Sequence, residues 1–206
     1  MSLINLLLAN GVLPDAAIRF GIRRRLAETL RTHVKPSDDE QRHAVAAHVA
    51  ELRNSPIAIE TEAANEQHYE VPADFYQYAL GPHLKYSSAW FDSPDESLAE
   101  AEENMLRITC ERAGLADGQR ILELGCGWGS LSLWMAEQYP NARITVVSNS
   151  ASQKAHIEGQ ASIRGFRHLI VRTANMIHYK GEGEGVFDRV VSVEMFEHMK
   201  NYAELL

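Results

Sequence analysis

Two carboxylates and an imidazole occur close together near the end of the chain. Glu194, Glu197 and His198 occupy positions i, i+3 and i+4, which share one face if a helical turn forms there. Histidine titrates near neutral pH, and a neighbouring carboxylate helps it to accept a proton. The pattern predicts a proton-accepting site; the alternative is a surface turn stabilised by ion pairs.

A glycine-rich loop lies earlier in the chain, within Ile121–Ser130 (ILELGCGWGS). An apolar strand pattern and Glu123 come first, Gly125, Gly127 and Gly129 follow at alternate positions, and a helical pattern comes next. Glycine lets the backbone turn sharply and approach a ligand closely, and a helix N-terminus favours anionic groups. The segment therefore predicts a strand–loop–helix unit for a nucleoside-type cofactor.

The spacing of these glycines indicates which of the known kinds of nucleotide-binding loop this segment resembles. The dinucleotide fingerprint is G-x-G-x-x-G, whereas here the third glycine comes one residue early and position 130 is Ser. A P-loop lysine is also missing. The pattern G-x-G-x-G fits the S-adenosylmethionine (SAM) loop of class I methyltransferases better, and the competing interpretation is an ordinary glycine-rich turn.

Strand and helix patterns alternate through the second half of the chain. The predicted strands are Arg120–Leu124, Ala142–Val147, His168–Thr173 and Phe187–Val193, with helices over Ser93–Gly114, Leu131–Tyr139 and Ser150–Ile163, and a glycine-rich turn at Gly181–Gly185. This order predicts an α/β fold with a parallel sheet that binds ligands at the carboxyl ends of its strands. Strand four would be an exposed edge, so we expect a truncated sheet that a further segment or a partner chain completes.

The first 60 residues predict a helical N-terminal extension. Helical patterns run from Asp15 to about Thr32 and, after the cap residue Ser37, to about Asn54. Arg19 and the triplet at 23–25 are interleaved with apolar residues. Such a helix either makes peripheral contact with a membrane or packs on the main domain with a solvated basic face.

The aromatic residues concentrate between the extension and the sheet. Residues 61–92 begin with a helix-like stretch at 61–67 and continue with many Tyr, Phe and Trp residues, which predicts a lid over a cofactor pocket. Residues 93–206 are predicted to be the N-terminal part of a Rossmann-like, SAM-binding domain.

Composition excludes several other classes of function. At 206 residues and 45% hydrophobic, the chain can bury one substantial core. A net charge of −8 argues against an electrostatically driven nucleic-acid binder. Cys110 and Cys126 form neither a disulfide framework nor a metal-binding spacing, so we expect no metal and a reducing, cytoplasmic location.

The chain from Tyr69 to Leu206 resembles the superfamily of cyclopropane fatty-acid synthases and coclaurine N-methyltransferases. The matching pieces are HYEVPADFY at 68–76, KYSSAWF at 85–91, LELGCGWGSLSLWMAEQYP at 122–140, VVSNSASQKAHIE at 146–158 and FDRVVSVEMFEHMKNYAELL at 187–206. The resemblance implies a class I SAM-methyltransferase fold. It is closer to the coclaurine N-methyltransferase branch, because the synthases typically carry Gly at the position of Glu194 and Cys at that of Ser88.

The resemblance also implies which residues hold SAM. They are Gly125, Gly127 and Trp128 at its methionine end, Asn149 and Gln153 at its ribose, Asn175 at its adenine, and Tyr86 and Ser87, with Tyr69, as its cover. Amide side chains both donate and accept hydrogen bonds, so they can replace the acids common in this fold. Glu123 is expected to orient the loop or to meet the ammonium group of the cofactor.

These residues predict SAM-dependent methylation of a small amine. Glu197 and His198 would accept the amine proton, and Glu194 would attract the cationic amine. One alternative is a synthase-like lipid methyltransferase acting on unsaturated acyl chains at a membrane, in which Glu197 helps to stabilise a carbocation or to hold bicarbonate. Another is a SAM-binding fragment without catalytic activity.

Overall fold

The computed structural model describes residues 3–59, 73–181 and 186–205, and the chain divides into two compact units, with the boundary in sequence between Asn54 and Ser55. The predicted helix at 61–67 and Tyr69 lie outside the described residues, as do residues 182–185 of the predicted glycine-rich turn. The helices of the first unit are α1 (Leu3–Ala9), α2 (Asp15–His33) and α3 (Asp38–Arg53).

The first unit confirms the predicted helices and the cap. Ser37 accepts a hydrogen bond from the Glu40 N–H, and three acidic residues in the first turn of α3 complement the positive end of the helix. Neither α2 nor α3 contains a buried residue. Exposed large apolar side chains on these helices are Phe20, Ile22, Leu26, Leu30, Val45 and Val49. In the described part of the chain, no helix is long and apolar enough to cross a membrane.

The second unit is built on a four-stranded parallel sheet. Its elements are α4 (Ala73–Ala79), α5 (Leu98–Arg112), β1 (Arg120–Leu124), α6 (Ser130–Gln138), β2 (Arg143–Ser148), α7 (Ala151–Arg164), β3 (Leu169–Thr173), β4 (Arg189–Ser192), a 3₁₀ turn (Phe196–His198) and α8 (Tyr202–Leu205). The strand order is β3-β2-β1-β4. In register, Leu124 of β1 lies beside Val147 of β2 and Ser192 of β4, so these strands end together. The predicted parallel α/β architecture is confirmed.

The predicted strand limits differ from the observed ones by one or two residues. β2 begins and ends one residue later than predicted, and β3 begins at Leu169 rather than at His168. β4 begins two residues later than predicted, and just before it the Asp188 carboxylate accepts a hydrogen bond from the Arg120 N–H at 2.7 Å. Beyond β4, Glu194 adopts a left-handed backbone that ends strand geometry.

The helix predicted to start at Ser93 begins later, at Leu98. Ser97 is its cap residue and forms a reciprocal capping box with Glu100. Ser93 instead closes the preceding turn, where its carbonyl accepts from the Glu96 N–H at 3.3 Å. Both serines have a glutamate three positions later, Glu96 and Glu100, but only Ser97 forms the reciprocal bonds of a capping box.

The core packs α5, α6 and α7 against the sheet. Its fully buried members include Ile121, Met135, Ile144, Val146 and Ile157. Gly129 caps α6 with a φ of 86°, and a Cβ atom there would lie 2.6 Å from Cγ1 of Ile157. The glycine therefore permits both the sharp entry into α6 and the close approach of α7.

We predict that Gly129→Ala destabilises the protein more than Gly118→Ala does. Both glycines have left-handed φ values, 86° and 81°, but a Cβ at Gly118 would meet no atom within 4 Å. The shared backbone strain costs about 1 kcal/mol, and the clash with Ile157 adds about 1–3 kcal/mol of overpacking. Urea denaturation of both variants measures the difference in the free energy of unfolding. Equal losses of stability would contradict the prediction, because they would show that Ile157 moves aside without an energetic penalty.

Candidate functional site

A cavity of about 340 Å³ lies at the carboxyl ends of β1, β2 and β4. Four segments supply most of its wall: residues 84–87, the glycine loop, residues 147–149 and residues 193–199. The predicted residues among them are Tyr86, Ser87, Gly125, Gly127, Trp128, Asn149, Gln153, Glu194, Glu197 and His198. The structure thus brings the loop and the proton-accepting cluster, which are distant in sequence, to one cavity.

The glycine loop is fixed on one side and open on the other. The N–H groups of Gly125 and Cys126 both donate to the Val147 carbonyl, at 2.9 and 3.1 Å. A Cβ at Gly125 would lie 2.8 Å from Cβ of Met195, whereas a Cβ at Gly127 would meet nothing within 4 Å. The backbone at Gly127 is therefore the part of the loop that a ligand can approach closely.

One buried polar atom beside the loop, Oγ of Ser130, has no hydrogen-bond partner among the described residues, and this side chain lines the cavity. The neighbouring Trp128 ring is held by Tyr76, with the two ring centroids 5.0 Å apart. A buried donor without a partner costs about 1–3 kcal/mol, so the Ser130 hydroxyl suits a polar ligand.

Glu123 is a buried carboxyl group below the loop. It is 3% exposed, lines the cavity and accepts a hydrogen bond from Ser132 Oγ at 2.5 Å. Burial raises the pKa of this carboxyl to about 7, and the Ser132 hydrogen bond partly opposes that change. Glu123 consequently changes protonation near neutral pH.

Hydrogen bonds fix the side chains at the end of β2 and at the start of α7. Ser148 Oγ donates to Gln153 Oε1 at 2.6 Å, and Ser150 caps α7 by accepting from the Gln153 N–H. Gln153 is buried, and its side-chain nitrogen, Nε2, takes part in neither of these bonds. Asn149, by contrast, is exposed where it lines the cavity, so the two side-chain amides lie at different depths in the cavity wall.

Asn175 lies outside the described lining of this cavity. Its Oδ1 accepts from the Ile177 N–H at 3.1 Å, which closes a turn after β3. Its role at the adenine stays a prediction.

Glu194, Glu197 and His198, the predicted proton-accepting residues, all line the cavity, but they do not share the helical face that the sequence predicted. Glu194 has a φ of 52°, and the only helical geometry nearby is the single 3₁₀ turn Phe196–His198. Helix thus begins too late to include Glu194. All three side chains nevertheless line the cavity and are exposed to solvent.

Lys85 is a cavity residue that the sequence reasoning missed. It is 7% exposed, and its Nζ donates to Ser87 Oγ. Burial lowers the pKa of the ammonium, and the charges of Glu194 and Glu102 oppose that change. The sequence signal was its position directly before Tyr86 and Ser87. No group of three or more metal-ligating side chains occurs within the described ranges.

Comparison with known proteins gives one matching family and two kinds of relative. The family model described as "Mycolic acid cyclopropane synthetase" matches residues 58–205. The (S)-coclaurine N-methyltransferase of Thalictrum flavum subsp. glaucum is 40% identical over 95% of this chain and 54% of its own length. The cyclopropane-fatty-acyl-phospholipid synthase of Escherichia coli strain K12 is 34% identical over 66% of this chain and 34% of its own. The chain spans about half the length of the N-methyltransferase it matches.

Solved structures give the same two kinds of neighbour. A coclaurine N-methyltransferase bound to N-methylheliamine and S-adenosylhomocysteine (SAH) superposes with a TM-score of 0.88 and 39% identity, covering 99% of this chain and 59% of the neighbour. A mycolic acid cyclopropane synthase complexed with SAH and CTAB has a TM-score of 0.59 and 28% identity, covering 66% and 46%. These likenesses confirm the class I SAM-methyltransferase fold predicted from the sequence.

We predict that Glu123 makes stability fall as pH rises from about 4.5 to about 7. The folded-state pKa of about 7 exceeds the ordinary 4.5, so the folded state binds the extra proton in this range, and ionisation costs stability. Glu123→Gln should be more stable than the parent above pH 7, by up to about 3 kcal/mol, with the advantage vanishing below pH 4.5. Urea unfolding at several pH values measures it.

Ser132→Ala is the matched variant for this prediction. It removes the bond that lowers the pKa of Glu123 while leaving the carboxyl group in place. The pH range of declining stability should therefore extend upward. A stability difference between the parent and Glu123→Gln that does not vary with pH would contradict the assignment.

Proposed function

The chain belongs to the mycolic acid cyclopropane synthetase family, and from that premise we propose that it takes part in SAM-dependent methyl transfer to a small amine. One observation carries the proposal. The glycine loop and the Glu194, Glu197 and His198 side chains line a single cavity at the ends of the strands. A cofactor site and a proton-accepting site must share a cavity if a methyl group is to pass between them.

The cavity fits SAM at its loop end. The open backbone at Gly127, the N-terminus of α6 and the unpartnered hydroxyl of Ser130 would receive the methionine carboxylate and other acceptor atoms, with Trp128 beside them. Asn149 and Gln153, which also line the cavity, would bind the ribose hydroxyl groups, and Tyr86 and Ser87 would cover the cofactor. When bound, SAM supplies an electrophilic methyl group on a sulfonium ion.

The acidic end of the cavity would prepare the amine. An alkyl amine has a pKa of about 10, so it enters protonated and has no free lone pair. The carboxylates of Glu194 and Glu197 would attract this cation, and His198, supported by Glu197, would accept its proton. The neutral nitrogen then has the lone pair that in-line attack on a methyl group needs.

Branch-specific residues favour an amine over a lipid acceptor. The chain carries Glu194 and Ser88 where the synthases typically have Gly and Cys, and the N-methyltransferase from Thalictrum flavum matches most of this chain. A lipid acceptor has support from the exposed apolar side chains of α2, which would contact a membrane surface. The two buried, free cysteines support a reducing compartment, the cytoplasm, as the place of action.

Incubation with methyl-labelled SAM tests the acceptor class. The protein receives a panel of secondary amines and, in the same vessel, unsaturated phospholipid vesicles, and the products are then partitioned and counted. We expect label in the amine fraction, because the carboxylates of Glu194 and Glu197, which line the cavity, suit a cation. Label in the lipid fraction would contradict the proposal and make α2 a membrane-docking element. SAM binding without any transfer would identify a cofactor-binding unit without catalytic activity.

We predict that Glu197→Ala and His198→Ala each lower amine turnover by about 10²–10⁴-fold, because each removes part of the proton-accepting pair. The affinity for SAH, measured by calorimetry, should remain near that of the parent. Glu204→Gln is the control, since Glu204 is an exposed acid of α8 outside the described cavity lining. If SAH affinity collapses together with turnover, the two residues serve the cofactor or the fold rather than proton transfer.

A further inference from the structure

Glu197 and His198, the proposed proton-accepting pair, lie on the 3₁₀ turn Phe196–His198. Main-chain bonds hold this turn locally: the His198 N–H donates to the Met195 carbonyl at 3.1 Å, and the Met199 N–H donates to the Phe196 carbonyl at 2.9 Å. A 3₁₀ turn has poorer hydrogen-bond geometry than an α-helix and rarely extends beyond a few residues. The position of the pair therefore depends on the segments that contact the turn.

The chain that follows the turn is held by the first residues of the second unit. The Lys200 N–H donates to the Ile57 carbonyl at 2.7 Å, and Asn201 Nδ2 donates to the Ser55 carbonyl at 2.9 Å. The second of these bonds joins positions that are 146 residues apart in the chain. We call residues 55–59 the strap, because they lie along the chain that follows the turn.

The strap continues into the wall of the cavity. Ala58 is buried, and the next residue, Ile59, lines the cavity, as do Met199, Glu197 and His198. The strap and the 3₁₀ turn therefore both contribute side chains to one cavity. The bonds between the two segments fix how these side chains lie relative to one another.

Asn201 is the side chain that ties the strap to the segment after the turn. It is 7% exposed and lies outside the described lining of the cavity. Its Oδ1 accepts from the Glu204 N–H at 3.2 Å, which caps α8, while its Nδ2 donates to the strap. A buried donor or acceptor left without a partner costs about 1–3 kcal/mol. The amide therefore favours the arrangement in which α8 and the strap are both in place.

The residue after Asn201 holds the 3₁₀ turn itself. The Tyr202 hydroxyl donates to the Phe196 carbonyl at 2.8 Å, and the two rings lie 6.4 Å apart, centroid to centroid. The start of α8 thus bonds to the turn through Tyr202 and to the strap through Asn201. Both bonds act on the short segment that carries the proton-accepting pair.

We propose that Asn201 is a positioning residue for Glu197 and His198. By holding the strap against the chain that follows the 3₁₀ turn, it keeps both side chains where the amine must give up its proton. A misplacement of about 1 Å costs on the order of 10²-fold in rate. Asn201 acts through the pair and touches neither the amine nor the cofactor. The inference rests on the proposed amine methylation and names a residue that prepares the site for it.

The main test variant is Asn201→Asp, which keeps the size of the side chain and the acceptor that caps α8 but removes the donor to the Ser55 carbonyl. It is made in a Glu204→Gln background, because Asn201 Nδ2 lies 3.4 Å from Glu204 Oε2 and two carboxylates there would repel each other. Relative to the Glu204→Gln protein, we expect kcat for a secondary amine to fall by about 10–100-fold. The KM for SAM and the calorimetric affinity for SAH should stay near those of the Glu204→Gln protein. An unchanged kcat, or an equal loss of SAH affinity, would overturn the proposal.

Hydrogen–deuterium exchange reports on the strap independently of turnover. We expect the Lys200 N–H, which donates to the Ile57 carbonyl, to exchange faster in the Asn201→Asp variant, whereas the amides of β1 and β2 stay protected. Faster exchange across the whole sheet would show a general loss of stability and would overturn the positioning role. A fall in kcat without a change at Lys200 would overturn it as well.

Asn104→Asp is the matched control. Asn104 is a half-buried residue of α5 whose Nδ2 donates to the distant Trp90 carbonyl at 3.4 Å, and it lies outside the described lining of the cavity. Its replacement should leave kcat unchanged. If it lowers kcat as much as Asn201→Asp does, the effect is the general loss of an amide–carbonyl bond, and the positioning role is overturned.

A double-mutant cycle shows whether Asn201 acts through the proton-accepting pair. Adding Asn201→Asp to His198→Ala should cause little further loss of kcat, because the side chain that the strap positions is already gone. Additive losses would overturn the proposal. Should Asn201→Asp fail to fold, Asn201→Ser takes its place, since its hydroxyl still caps α8, adds no charge and is shorter than the amide that bonds to the strap. It should lower kcat in the same direction, and an unchanged kcat would overturn the proposal.

The outcomes distinguish the two proposals. A parent protein that methylates amines, combined with Asn201 variants of unchanged kcat, overturns the inference about Asn201 alone. A parent protein that binds SAH but methylates no amine overturns the proposed function, and the positioning role with it.

Discussion

The packing of the glycine loop against its two neighbours is the constraint on which the site depends. Gly125 lies against Met195 and Gly129 against Ile157, both closer than any Cβ would allow. These contacts join the loop to the segment after β4 and to α7, while Gly127 stays open. The loop therefore does more than admit a ligand, because its contact with Met195 also places the neighbouring Glu194 at the same cavity.

Charge divides the cavity into two regions with different physical demands. At the loop, the backbone donors and the positive end of α6 favour an anionic group such as a carboxylate. In the segment after β4, the carboxylates of Glu194 and Glu197 favour a cation. Glu123, below the loop, is a carboxyl whose pKa of about 7 leaves it about half protonated at neutral pH.

Local sequence patterns predicted the parts of the site that local interactions determine. The alternating glycines and the Ser150 cap are set within a few residues, and the structure has them as expected. The shared helical face of Glu194 failed because a left-handed residue after β4 has no distinctive pattern in sequence. Lys85 was missed because lysine is usually exposed, whereas here it is 7% exposed.

The left-handed backbone of Glu194 connects the cavity chemistry to the fold. A strand that continued past Ser192 would alternate its side chains between the two faces of the sheet and would separate Glu197 from Glu194 and His198. The left-handed turn at Glu194 and the following 3₁₀ turn change that course, so that all three line one space. The residue after the strained position, Met195, packs closely against Gly125 of the loop, and this contact holds the turn in place. The cavity is therefore the best explanation for the left-handed turn at Glu194, because nothing in the sheet itself requires the chain to leave strand geometry at that position.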